Sequence, residues 1–109
     1  MQNSVMVVAT VTIRPDAYET FRAFERLAVG IMARYGGKVE RVIVADRREQ
    51  GGKLKEVHVV SFPDEDRMMA YLSDEELDGH IHLREASALH TELIIGVDAT
   101  EYLSAARPV

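Results

Sequence analysis

The sequence predicts an α+β sandwich: a four-stranded antiparallel sheet with two helices on one face. Three observations predict it. Val5 to Ile13 is a continuous apolar run of strand length ended by a turn signal. From Ala17 to Tyr35 apolar side chains recur at three-then-four spacing, which is one face of a helix. Two more strand-like runs then flank the polar loop RREQGG, and a second helical stretch precedes a last apolar run ending at Val97. The order is strand, helix, strand, strand, helix, strand.

The elements follow in turn. The first strand, Val5 to Ile13, stops at Arg14-Pro15-Asp16. Asp16 with Glu19 three residues on has capping-box spacing, so the first helix is expected to start there. Ala17, Phe21, Phe24, Ala28, Ile31 and Tyr35 form its apolar face, and Tyr35-Gly36-Gly37 ends it, because a glycine takes the left-handed conformation that side chains resist. Lys38 to Asp46 and Leu54 to Phe62 read as strands. Pro63 opens the next helix, with Asp64 to Asp66 where the helix dipole favours acids. A second helical piece from Asp74 to Ala88 leads to the last strand, Leu89 to Val97, and the pattern of 98–109 assigns no element.

Composition narrows the function. The 109 residues suffice for one domain, 1–109 with 98–109 as a C-terminal tail. A content of 47% hydrophobic and 28% charged residues is that of an ordinary globular chain. The net charge of −5 and the scatter of basic residues argue against a nucleic-acid partner, which demands a basic face. The absence of cysteine removes disulfides, thiolate nucleophiles and Cys-type zinc sites together. The run Val5 to Ile13 is too short to cross a bilayer and lacks the pattern of a signal peptide, so no membrane partner and a cytoplasmic location are expected.

Packing both helices on one sheet face produces the ferredoxin-like βαββαβ arrangement. Its other face is then the difficulty. In the first strand Val7, Ala9, Val11 and Ile13 alternate with Met6, Val8, Thr10 and Thr12, so neither side is a plain solvent side. With no spare element in the chain to cover the second side, a homodimer is expected.

Particular motifs carry a resemblance. RPDAYETF at the first helix, YGGKV before the second strand, VVSFPDEDRMMAYLSDEE from Val59 to Glu76, and LREASALHTELIIGVD near the end resemble the bacterial family called domain of unknown function 1330. Tyr71 stands where many members would carry tryptophan. The resemblance implies the dimeric α/β-barrel superfamily, in which two ferredoxin-like subunits pack sheet against sheet. That superfamily includes cofactor-independent monooxygenases, isomerases and haem-degrading enzymes, as well as small dimers with no assigned reaction.

Sorting the strands by parity yields the candidate site. One set, Val7, Ala9, Val11, Ile13, Val42, Val44, Val57, Val59, Leu93 and Ile95, is apolar and expected beneath the helices. The opposite set gathers Thr10, Thr12, Arg41, Ile43, Glu56, His58, Val60, His90, Glu92 and Ile94, with the polar residues together, and is expected to line the space between two sheets. There His58 is the candidate acid or base, since imidazole exchanges protons near neutral pH, and Arg41 the group that binds a negative oxygen. Thr10, Thr12, Glu56, His90 and Glu92 are the candidate ligand-binding residues. The same polar lining also reads as paired charges, Arg41 with Glu56 or Glu92, that set the register of the subunit contact. His80 and His82, two apart on a helix, do not converge on a metal, and no cofactor is expected. Two functions stay open: a small dimer that binds a metabolite or only itself, and a cofactor-independent monooxygenase or isomerase acting on an aromatic or lactone-like substrate.

Overall fold

In the computed structural model, which describes residues 4–105, β1 (Val5–Ile13) lies inside a four-stranded sheet between β3 (Leu54–Phe62) and β4 (Ala88–Gly96). β2 (Lys38–Val44) pairs with the far side of β3, giving the order β2-β3-β1-β4 with every pair antiparallel. The helices α1 (Tyr18–Ala33), α2 (Glu65–Leu72) and α3 (Glu75–Ser87) complete a βαββαβ, ferredoxin-like α+β fold, as expected from the pattern. A short helix, α4 (Glu101–Ala105), falls in the segment to which the pattern assigned nothing, and 106–109 lie outside the described residues.

Helix α1 buries Phe21, Phe24, Ala28, Ile31 and Met32, the stripe its spacing predicts. Each such large side chain contributes about 1.5–3 kcal/mol by leaving water. Phe21 packs with Val11, Ile13 and Leu54 at one end of the layer; Phe24, Ile31, Val60, Phe62, Met68 and Tyr71 build the other. Gly36 carries the positive φ of 73° that ends this helix region, at the place where a side chain would be strained.

The expected capping box at Asp16 does not form. Pro15, Asp16 and Ala17 make a single 3-10 turn, and α1 starts at Tyr18 with no side-chain cap. Pro15 fits the first position of that turn, which draws Asp16 into it and away from the cap position. The other two helices are capped by aspartates. Asp64 accepts from the Arg67 N–H at 2.8 Å, so Pro63 precedes α2 instead of opening it. Asp74 accepts from the Leu77 N–H at 3.0 Å and from the Tyr35 hydroxyl at 2.5 Å. The Tyr35 hydrogen bond, then the backbone bonds of the cap, hold the Asp74 carboxyl below its usual range.

The parity assigned to β3 is corrected. Val7, Ala9, Val11 and Ile13 stand opposite Val60, His58, Glu56 and Leu54, so those β3 residues share the helix-covered face. Val57 and Val59 therefore lie on the open face, and Val60 leaves it. The ends of the strand decide the matter: Leu54 and Phe62 are buried at 6% and 2% exposure, and they share the parity of Glu56 and His58. Burying two large apolar side chains outweighs exposing two valines that a neighbouring surface can cover. A β-bulge between Val39 and Arg41 adjusts the edge, so that Val42 stands opposite His58 and Arg41 opposite Val59.

Candidate functional site

Glu56 is 3% exposed, and its two carboxylate oxygens gather three donors. Oε2 accepts from the Tyr18 hydroxyl and from Arg22 Nε at 3.2 Å; Oε1 lies 2.8 Å from His58 Nε2. The Arg22 guanidinium also donates to the Tyr18 oxygen and stacks 4.1 Å over its ring. Burial pushes the Glu56 carboxyl up, but the hydrogen bonds from Tyr18, His58 and Arg22 outweigh it, and the net shift is downward. An ionised carboxylate only accepts, so the proton between it and the imidazole sits on His58 Nε2. The other imidazole nitrogen, Nδ1, makes no contact with Glu56.

That nitrogen points toward a second carboxylate. Glu25 Oε2 is 3.6 Å from His58 Nδ1, and the Phe21 ring meets the imidazole edge-on at 5.9 Å between centroids. Burial raises the Glu25 carboxyl, the nearby Glu56 charge adds to the rise, and the charges of His58 and Arg84 oppose it. Tyr71 is likewise pushed up to about 12 by burial and then by Glu25, which leaves its hydroxyl a proton donor at neutral pH. Arg84 on α3 is anchored by one hydrogen bond, 2.8 Å to Thr91 Oγ1 on β4.

These groups line a cavity of about 490 Å³ between the helices and the sheet. Its walls are mostly apolar, among them Ala9, Val11, Phe24, Val60, Met68 and Ile81, and its polar side chains are His58, Glu25, Tyr71, Arg84 and Thr91. His58 and Glu25 also line a second, more open cleft of about 410 Å³, shared with Arg22 and Arg26 between α1 and the β2 edge. The two side chains thus form part of a wall between the chamber and the more open cleft.

The structure divides the residues that sequence parity had grouped. Glu56 and His58 lie beneath the helices. Arg41, Thr10, Thr12, His90 and Glu92 lie on the open face, where Thr10 stands opposite Glu92 and Thr12 opposite His90. His90 and Glu92 touch at 3.3 Å and are exposed. Arg41 is on edge strand β2 and Glu92 on edge strand β4, three strand spacings or roughly 14 Å apart, so the two do not pair within one chain. Neither does Arg41 pair with Glu56, whose arginine is Arg22. Arg41 and His58 accordingly do not share the cavity. Sequence reasoning missed Glu25, although it sits four residues after Phe21 and three before Ala28, a charged residue on the edge of an apolar helical stripe. Nothing comparable marks Arg84 or Thr91, which a helix–strand junction brings together.

A ferredoxin-like α+β fold with an apolar chamber between helices and sheet is the class of protein these features define. No family model matches the chain, and no curated protein matches it. Solved structures do match. A protein of unknown function from Rhodopseudomonas palustris superposes with a TM-score of 0.72 at 17% identity, covering 90% of this chain and 84% of its own. SnoaB, a cofactor-independent oxygenase from Streptomyces nogalater, gives 0.64 at 18% identity, covering 88% and 93%. An uncharacterised NIPSNAP domain protein from Burkholderia xenovorans gives 0.66 at 17%, covering 87% and 94%. At these identities the likeness shows the fold. Among the described residues no helix is long and apolar enough to cross a membrane.

Proposed function

We propose that this chain is a homodimeric subunit of the dimeric α/β-barrel type that binds a small, mostly apolar metabolite between its helices and its sheet. Membership of the family called domain of unknown function 1330, read from its motifs, belongs to the same proposal. The observation that carries the binding role is the chamber of about 490 Å³, within the size range of small-molecule sites, with apolar walls and few polar groups. Phenylalanine in place of Ala9, a small residue in its wall, fills part of that volume. Ala9→Phe is expected to weaken binding of any ligand found by a thermal-shift screen of small metabolites by at least tenfold. Unchanged affinity in a folded variant would place the ligand elsewhere.

The dimer rests on the open sheet face. Ile43 and Ile94 are 52% and 68% exposed there, alongside Val57 and Val59, and among the described residues no element covers them. Sheet-to-sheet packing in a second copy buries this patch and places Arg41, Thr10, Thr12, His90 and Glu92 between the subunits. Sedimentation at micromolar concentration is expected to find a dimer for the wild type and a monomer for Ile94→Lys, since an unpaired charge in an apolar contact is costly. A monomeric wild type excludes the proposal.

A second reading has its own observation. His58 is oriented by Glu56 at 2.8 Å and has Glu25 3.6 Å away, an arrangement suited to moving a proton at the chamber wall. It supports a cofactor-independent monooxygenase or isomerase with His58 as acid or base.

A further inference from the structure

We infer that Arg84, set beside Thr91, receives an anionic group of the ligand, so that the chamber selects an apolar, ring-sized molecule bearing one carboxylate, sulfonate or enolate. The inference rests on the binding role proposed for the chamber and adds the chemical class of its occupant.

Three features of the site support it. A guanidinium carries five N–H donors, and among the described residues Arg84 uses one of them, toward Thr91 Oγ1. It forms no ion pair among these residues, although it is half-buried at the wall of an apolar chamber where a charge gains most from a partner. The Thr91 bond ties the guanidinium of α3 to strand β4, which holds the donor fork in place before a ligand arrives. Of the two arginines that line the adjoining cleft, Arg22 is committed to Glu56 and Tyr18, and Arg26 lies 4.0 Å from Glu19. Glu56 in turn is neutralised by Arg22, which leaves Glu25 as the acid facing Arg84, with a carboxyl that burial pushes upward and so toward its neutral form. The apolar walls fix the rest of the ligand: a body of one or two rings fits about 490 Å³.

Two fluorescent probes with one skeleton test this. 8-Anilinonaphthalene-1-sulfonate carries an anion; N-phenyl-1-naphthylamine is the same framework without it. Both are expected to bind the wild-type protein in fluorescence titrations, and Ala9→Phe, which narrows the chamber, is expected to weaken both by tenfold or more. Arg84→Gln is expected to weaken the sulfonate by at least tenfold while changing the neutral probe less than twofold, and Arg84→Lys to recover part of the loss. Equal effects of Arg84→Gln on the two probes, or none on the sulfonate, would overturn the inference while leaving the chamber as a binding site. Failure of both probes to bind, or binding that Ala9→Phe does not disturb, would overturn the chamber reading and the inference with it.

Discussion

Removing the Glu56 side chain is expected to cost the fold about 3–5 kcal/mol, the range for breaking one partner out of a buried charged network. In Glu56→Ala the Tyr18 hydroxyl, the Arg22 guanidinium and His58 Nε2 lose their common acceptor. Arg22 recovers part of its solvation because its side chain is 40% exposed. His58 cannot, with a side chain 12% exposed and walled by Phe21. The Glu56→Gln variant separates charge from shape. It keeps the volume but leaves one acceptor oxygen for three donors and turns an amide N–H toward another of them, so about 1–3 kcal/mol is expected. Urea denaturation at fixed protein concentration measures both. A loss below about 0.5 kcal/mol for the alanine variant would mean that desolvating the carboxylate cancels what its hydrogen bonds supply.

The pH dependence of the same variants carries a sign. The folded state holds the Glu56 carboxyl below its ordinary value of 4.5, so its contribution is present above that pH and is lost as the pH falls through the lowered folded value. Glu25 acts in the opposite direction. Its folded carboxyl is raised from 4.5, so it contributes nothing at low pH and opposes folding as the pH rises past that value. The rise of stability below pH 4.5 is therefore expected to shrink in Glu56→Gln, and the opposing loss above pH 4.5 to shrink in Glu25→Gln.

How much of this was legible in the sequence differs from strand to strand. β1 and α1 were readable because length, turn signals and the three-then-four stripe from Phe21 to Ile31 agree with each other. β3 was readable as a strand but not as an orientation. Both of its parities carry valines, because a sheet buried by helices on one side and, as proposed, by a second copy on the other has no solvent face to mark the difference. Parity placed Val57 and Val59 beneath the helices, whereas the large ends, Leu54 and Phe62, bury more area and set the register. The consequence for the site was large, since one residue of slip moves Glu56 and His58 from one side of the sheet to the other. The bulge near Glu40 had no sequence signal in the form of a glycine, and the partnership of Arg84 with Thr91 is made by tertiary packing.

If the chamber catalyses proton transfer, His58→Gln is expected to lower turnover by about two to four orders of magnitude, the usual contribution of a positioned acid or base. The geometry names the atoms. With Nε2–H donated to Glu56 at 2.8 Å, a substrate proton goes to Nδ1, and the imidazolium that forms is stabilised by the Glu56 carboxylate on its other nitrogen. Glu25, 3.6 Å from Nδ1 and lining the open cleft on the far side, then offers that proton a way out of the apolar chamber. Glutamine at position 58 preserves volume and one hydrogen bond but exchanges no proton near neutrality. Three comparisons separate catalysis from structure. The dimer and the urea midpoint of His58→Gln should stay close to wild type, the wild-type rate should depend on pH, and that dependence should vanish in the variant. Arg41→Gln should leave turnover within about threefold of wild type, because Arg41 lies on the opposite face of the sheet from His58. Full activity of His58→Gln together with a rate flat from pH 5 to 8 would exclude His58 as the base, and its contacts with Glu56 and Glu25 would then serve only to seat β3 beneath α1.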